Sequence, residues 1–246
     1  MDKAILQALD IFKTASFEYA ICGGYALDLF AGKELRTHGD FDIVIYKEDK
    51  TAAVKFLQEL GWSVFGRFME EGRPVTQYLF YKIDDITDDY WDDCKNMWAV
   101  KPGCLPDVLH KLDRLQGSQA NAMHSGMEIY TYQARKWLVQ DEIEFIEFEV
   151  DARDDDSFIV QENPKITRSL DKAILYRDDV PYLAPEIVLF YKSDKFSSEH
   201  PNVRPKTEGD FNAIMPMLSQ ENKQWLFQAI GAAYPDGCDW LGWLLG

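Results

Sequence analysis

The stretch from residue 17 to residue 46 constrains the fold most, because its hydrophobic period changes twice. Residues 17–22, FEYAIC, are short, apolar and β-prone, and Gly23–Gly24 end them. The next residues, YALDLFAG, have a helical pattern that a glycine closes. Residues 41–46, FDIVIY, form a β-branched run typical of a central strand. The order of strand, Gly-Gly turn, helix and strand predicts a fold that mixes α and β elements.

The rest of the first 180 residues continues this mixture. Helical patterns cover residues 2–14, behind a capping Asp2, and residues 47–61. Strand-like runs follow at 62–68 and 76–83. Residues 84–99 have no clear period, so we interpret them as a loop that leads to a helix within residues 104–115.

Residues 142–150, EIEFIEFEV, alternate strictly between apolar and acidic residues and predict a strand, with 157–161 as its hairpin partner. After Pro181 three segments are helical in pattern. We therefore predict an α+β fold with a mixed sheet flanked by helices. The predicted domains are an α/β domain at 1–180, with an insertion at about 84–140, and a small helical C-terminal lobe at 181–246.

Charge and composition limit the classes of partner. The 246 residues have a formal charge of −16, which repels phosphate backbones and makes nucleic acid a poor candidate partner. This acidity either serves solubility alone or attracts a cationic small substrate. No apolar run approaches the roughly 20 residues that cross a bilayer, and the four cysteines form no CxxC pair. We expect a cytoplasmic protein with reduced thiols and no membrane partner; its oligomeric state stays open.

Two short motifs suggest phosphate and metal chemistry. A helix that begins after Gly23–Gly24 leaves its first N–H groups unpaired, and glycine lets an anion approach the backbone closely. Asp40 and Asp42 lie at i and i+2 at the head of a strand, so both carboxylates emerge on one face and could share divalent ions. Either motif alone is more often structural, but the two occur in order on consecutive elements.

These residues resemble a known group of enzymes. The stretch GGYALDLFAGKELRTHGDFDIVI is similar to the signature of the DNA polymerase β-type nucleotidyltransferase superfamily, and in particular to its antibiotic nucleotidyltransferases, which act on aminoglycosides and lincosamides. A second block at 181–195, with RPKTEGDF at 204–211, resembles the C-terminal helical region of the same branch. The chain departs from the superfamily pattern in having Gly-Gly where Gly-Ser is frequent.

The resemblance implies transfer of a nucleoside monophosphate, expected to be AMP from ATP, to a hydroxyl of a small molecule, with release of pyrophosphate. Asp40 and Asp42 would hold Mg²⁺, and Gly23–Gly24 would hold phosphates. The acceptor and the choice of ATP over another nucleotide stay open. The alternative is a nucleotide-binding or antitoxin-like interaction module of the same fold without transfer activity.

The resemblance also implies a third carboxylate on a later strand, which completes the metal site or takes the proton of the acceptor. Both Glu147 and Glu149 project from one face of the strand at 142–150. Glu147 is our first choice, because alignment of the following hairpin with the family's pattern places the acidic position there, and Glu149 is the second. Arg36 and Lys192 are the candidate cations for the triphosphate. His38, a rival base, is expected to orient its loop or to contact phosphate.

The predicted insertion contributes a hypothesis of its own. Its acids and aromatics, including Tyr90 to Asp93, could wall a pocket for a cationic sugar.

Overall fold

A computed structural model of the chain describes residues 2–68, 79–84, 94–112, 128–132, 142–161, 163–193, 203–238 and 240–242. These residues form two compact units. The first unit comprises residues 1–18 and 39–150, and the second comprises residues 19–38 and 151–246. Neither unit begins or ends at the predicted boundary near residue 180, and that division stays a prediction.

The elements follow one another in a mixed order. The α-helices of the described residues are α1 (Lys3–Phe12), α2 (Gly23–Ala31), α3 (Lys50–Glu59), α4 (Leu105–Val108), α5 (Leu170–Ala173), α6 (Pro185–Lys192), α7 (Arg204–Ile214) and α8 (Gln220–Ala233). Their strands are β1 (Tyr19–Ile21), β2 (Asp42–Tyr46), β3 (Ser63–Phe68), β4 (Leu79–Lys82), β5 (Asn96–Val100), β6 (Leu109–Lys111), β7 (Ile129–Tyr132), β8 (Phe145–Arg153), β9 (Ser157–Ile159), β10 (Thr167–Ser169), β11 (Ile174–Arg177) and β12 (Val180–Leu183). The predicted mixed α+β class is confirmed.

The first unit is built on a sheet with the strand order β2-β8-β5-β3-β4-β7-β6. From β8 onward each strand pairs antiparallel with its neighbour. Apolar side chains from these strands pack together in one buried cluster, which includes Phe65, Phe80, Trp98 and Phe145. Burial of such large aromatic surfaces is the main favourable term that holds the sheet together.

Two predictions within the first unit are wrong. Residues 96–99, predicted as loop, belong to β5, which is buried along its whole length between β3 and β8. A strand buried on both faces has no alternation to reveal it. Of the helix predicted within 104–115, the described residues up to 112 show only the single turn of α4, after which the chain extends into β6.

The second unit combines a small sheet with helices. Strand β1 pairs parallel with β12, and β12 pairs antiparallel with β11. The last residues of β8 pair antiparallel with β9, which confirms the predicted hairpin. The three helices predicted after Pro181 are confirmed as α6, α7 and α8. None of the helices in the described ranges is long and apolar enough to span a membrane.

Candidate functional site

The Gly-Gly turn and the helix start coincide in the second unit. Helix α2 begins at Gly23 itself, whose φ of +59° lies in the left-handed region that favours glycine. Cys22 precedes the helix in an extended conformation, and its side chain does not cap it. The side chain of this N-cap residue therefore makes no hydrogen bond to the first N–H groups of α2, and the positive end of the helix dipole lies behind them. Such a helix start is suited to an anion.

Gly24 is covered by the side chains of Arg36 and His38. A Cβ atom on Gly24 would lie 2.2 Å from His38 Nδ1 and 3.2 Å from Arg36 Nη2. Atoms in ordinary contact are roughly 3.5–4.0 Å apart, so the imidazole occupies the space that a side chain would need. Glycine is required at this position because the ring of His38 lies against the helix.

His38 is buried and is held by helix α2. Its Nε2 lies 2.6 Å from Asp28 Oδ2, and the N–H of Leu35 donates to Asp28 Oδ1 at 2.9 Å. The ring of Tyr25 lies 4.5 Å from the imidazole, centroid to centroid. Within the described part of the chain, His38 Nδ1 has no hydrogen-bond partner. One carboxylate of α2 thus ties down both ends of the segment 35–38, which supports the predicted orienting role of His38.

Arg36 and Lys192, the two predicted cations, meet at one carboxylate. Arg36 donates from Nε to Asp210 Oδ1 at 2.8 Å and from Nη2 to Oδ2 at 3.0 Å. Lys192 Nζ lies 3.1 Å from Asp210 Oδ2. Burial alone would raise the pKa of Asp210, but the hydrogen bonds from Arg36 and the charge of Lys192 outweigh it and hold that pKa below its ordinary value. The structure therefore brings Gly24, Arg36 and Lys192 into one connected cluster.

The predicted carboxylates lie in the first unit, around the start of β2. Asp42 opens this strand, and Asp40 is exposed two residues earlier. The N–H of Glu147 donates to the carbonyl of Phe41 at 3.0 Å, so β8 runs directly beside the Asp-x-Asp segment. The side chain of Glu147 is half-buried.

Glu147 is in an environment that disfavours its charge. Burial raises the pKa of Glu147, Arg67 opposes this rise, and the negative charge of Asp40 adds to it, so the pKa lies above its ordinary value. Arg67 Nη1 lies 3.2 Å from Glu147 Oε1. The effect of Asp40 places these two carboxylates within electrostatic range of each other.

Glu149 is engaged differently. It lies opposite Asn96 in the pairing of β8 with β5, and the side-chain amide of Asn96 donates to its carboxylate. Arg67 also donates to Asn96 and so joins the two glutamates. Neither Arg67 nor Asn96 could be identified from sequence, because only the register of β3, β5 and β8 brings them to Glu147 and Glu149.

A ready-made metal site is not visible in this part of the molecule. Among the residues that the structure describes, no three His, Cys, Asp or Glu side chains lie close enough together to hold a metal ion. The ligand set of Asp40, Asp42 and Glu147 stays a prediction. The predicted pocket wall at Tyr90 to Asp93 lies outside the described residues.

The chain thus combines a mixed α+β fold with a helix that starts at Gly23–Gly24 and, further along, a strand headed by Asp-x-Asp. A match to a protein family is found for the N-terminal third of the chain. Residues 4–84 match the aminoglycoside-2''-adenylyltransferase family, which confirms the predicted resemblance to antibiotic nucleotidyltransferases over that segment.

Three solved structures align with most of this chain at low sequence identity. The crystal structure of ANT(2")-Ia in complex with adenylyl-2"-tobramycin is 13% identical with a TM-score of 0.48, covering 94% of this chain and 96% of that one. The solution structure of ANT(2'')-Ia is 14% identical with a TM-score of 0.49, covering 94% and 91%. Lincomycin-bound LnuA, a lincosamide antibiotic adenylyltransferase, is 13% identical with a TM-score of 0.41, covering 85% and 96%. No curated protein sequence matches the chain at a significant level.

Proposed function

We propose that this chain is a metal-dependent nucleotidyltransferase that transfers a nucleoside monophosphate from a nucleoside triphosphate to a hydroxyl of a small molecule and releases pyrophosphate. The observation that carries the proposal is the position of the Arg36 guanidinium beside Gly24 at the start of α2. Its Nη2 lies 3.2 Å from the point that a Cβ atom on Gly24 would occupy. A fixed cation at a helix N-terminus is a site for phosphate groups. The match of residues 4–84 to an adenylyltransferase family supports ATP as the donor.

The second unit supplies the groups that would bind the triphosphate. The N–H groups at the start of α2 point along the helix axis, and Gly23–Gly24 let phosphate oxygens approach them. Arg36 contributes a planar guanidinium and Lys192 a point charge. These groups would stabilise the charge of the departing pyrophosphate, because they are fixed before the reaction begins.

The first unit supplies the carboxylates that would hold Mg²⁺. The donor chemistry fits, since Asp40, Asp42 and Glu147 all offer carboxylate oxygens, the ligands that Mg²⁺ prefers. When bound, the metal would neutralise charge on the triphosphate and lower the pKa of the attacking hydroxyl. Glu147, within electrostatic range of Asp40, is the preferred third carboxylate and a candidate acceptor of the hydroxyl proton. Glu149 stays the second choice; its carboxylate accepts from the amide of Asn96, as the carboxylate of Glu147 pairs with Arg67.

The acceptor is proposed to be an aminoglycoside or lincosamide antibiotic, with a preference for the cationic aminoglycosides. The family description names an aminoglycoside-2''-adenylyltransferase, and the charge of −16 attracts cations at long range. An acceptor panel that includes tobramycin and lincomycin tests this preference, and activity on lincomycin alone would contradict it.

Pyrophosphate release from ATP and Mg²⁺ with that panel tests the reaction itself. We expect turnover in the wild type and a loss by at least about a hundredfold in Asp42→Ala, because the strand would lose a metal-binding carboxylate. Asp10→Ala is the matched control, since Asp10 is an exposed aspartate on α1 that pairs only with Lys13 in the described contacts. Wild-type turnover in Asp42→Ala would contradict the proposal. Binding of an ATP analogue without turnover on any acceptor would favour a nucleotide-binding module.

A further inference from the structure

The role of Asp210 goes beyond the proposed site residues. Asp210 lies on α7, in the second block of the sequence, and its side chain is only 2% exposed. Its two carboxylate oxygens contact Arg36 and Lys192, whose side chains are 25% and 20% exposed. A buried carboxylate thus lies behind two cations that both reach solvent.

The contact with Arg36 fixes a direction as well as a distance. Nε and Nη2 donate to the two oxygens of Asp210, and this two-point contact holds the plane of the guanidinium. Nη1 donates to the carbonyl of Thr37 at 3.2 Å, which fixes the opposite end of the fork. The same Nη2 lies beside Gly24, so the orientation set by Asp210 places the guanidinium at the start of α2.

The charges of this cluster favour an anion. Arg36 and Lys192 contribute two positive charges and Asp210 one negative charge, so the three side chains keep a net positive charge. Asp210 also lowers the repulsion between the two cations, which lets them lie on one carboxylate at 2.8 Å and 3.1 Å.

We propose that Asp210 is the positioning residue that holds Arg36 at the start of α2, with Lys192 on the same carboxylate, for the phosphate groups of the nucleotide. This inference rests on the proposed function, because it takes the cluster to be the triphosphate site. Asp210 acts through the two cations and does not itself touch the nucleotide.

Nucleotide affinity measured by calorimetry tests the inference independently of turnover. The ligand is a non-hydrolysable ATP analogue with Mg²⁺, and the variants are Asp210→Asn and Glu208→Gln. We expect Asp210→Asn to weaken binding by about 10-fold to 100-fold, because the loss of a charge-assisted contact releases both cations. Glu208→Gln is the matched control on the same helix, since Glu208 pairs with Arg204, and it should keep the wild-type Kd.

A combined variant separates positioning from a direct effect. In a protein that already carries Arg36→Ala and Lys192→Ala, adding Asp210→Asn should change the Kd by less than about threefold, because nothing remains to be positioned. The KM for ATP should rise more than kcat falls in Asp210→Asn. Undiminished analogue affinity in Asp210→Asn, with only a lower Tm, would show that Asp210 is a structural anchor and would overturn the inference.

A second substitution keeps the test decisive if Asp210→Asn does not fold. Arg36→Lys preserves the charge but cannot make the two-point contact, and we expect it to weaken binding by about tenfold. Wild-type affinity in Arg36→Lys would overturn the inference. Failure of the proposed function has a different signature, namely tight analogue binding by the wild type without pyrophosphate release on any acceptor.

Discussion

Substitution of Gly24 by alanine probes the packing at the start of α2 directly. The new methyl group would lie 2.2 Å from His38 Nδ1 and 2.4 Å from Cε1. An unstrained contact needs roughly 3.5 Å, so the imidazole must move by more than about 1 Å. The ring is buried and is tied to Asp28 at 2.6 Å, so this movement disrupts the hydrogen bond.

The expected cost follows from two opposing effects. Leaving a buried hydrogen-bonding group without its partner costs about 1–3 kcal/mol. Alanine is favoured over glycine within a helix by up to about 1 kcal/mol, which offsets part of this cost. We therefore expect Gly24→Ala to lower the free energy of unfolding by about 1–2 kcal/mol, which for a chain of this size lowers the Tm by about 2–8 °C.

Thermal unfolding of Gly24→Ala beside Gly231→Ala measures this effect. Gly231 lies within α8, and a Cβ atom there would have no neighbour within 4 Å, so we expect an unchanged or slightly higher Tm. The penalty of Gly24→Ala should largely vanish when His38→Ala is already present, because the methyl group then has room. Equal stability of the two glycine variants, or an undiminished penalty without His38, would refute the steric argument.

Two further predictions concern buried charges. Burial and Asp40 raise the pKa of Glu147, so wild-type stability is lost as the pH rises from the unfolded value of about 4.3 through the higher folded value. In EDTA, calorimetry should find that Glu147→Gln has a higher Tm than the wild type at pH 7 but not below about pH 4. An equal difference in Tm at the two pH values would contradict this reasoning. Glu186→Ala should cost about 3–5 kcal/mol in urea unfolding, because buried Arg168 loses a carboxylate 2.8 Å away. Lys172→Ala, which breaks a solvent-exposed ion pair, should cost less than about 1 kcal/mol, and similar losses in the two variants would refute the burial argument.

Local sequence patterns predicted much of the fold correctly. Asp2 caps α1 as expected, with a hydrogen bond of 2.8 Å from the N–H of Ala4. The helix after the apolar strand and the strand that contains Asp42 were also predicted, because turn chemistry and hydrophobic period depend on neighbouring residues, although the helix begins at Gly23 and not after Gly24. Strand β5 was missed because Asn96–Val100 is buried on both faces, and its burial arises from strands that are distant in sequence.

The sequence suggested which residues belong to the candidate site but not which of their side chains contact one another. Asp210 matched a block of the sequence but had no role until its contact with Arg36, 174 residues away, was seen. The choice of Glu147 over Glu149 stays a prediction, but the partners of both, Arg67 and Asn96, follow from strand register. Such pairings have no local signal, because they link strands and helices that fold far apart in the chain.

Local sequence is enough to set the backbone features of the candidate site, which are a helix at the two glycines and a strand headed by Asp-x-Asp. Both depend on conformational preferences of adjacent residues. The pairing of charges depends on the folded chain, in which Asp210 joins Arg36 to Lys192 and Asp28 holds His38. Burial makes an unpaired charge costly, so the folded chain selects partners that no sequence spacing could identify.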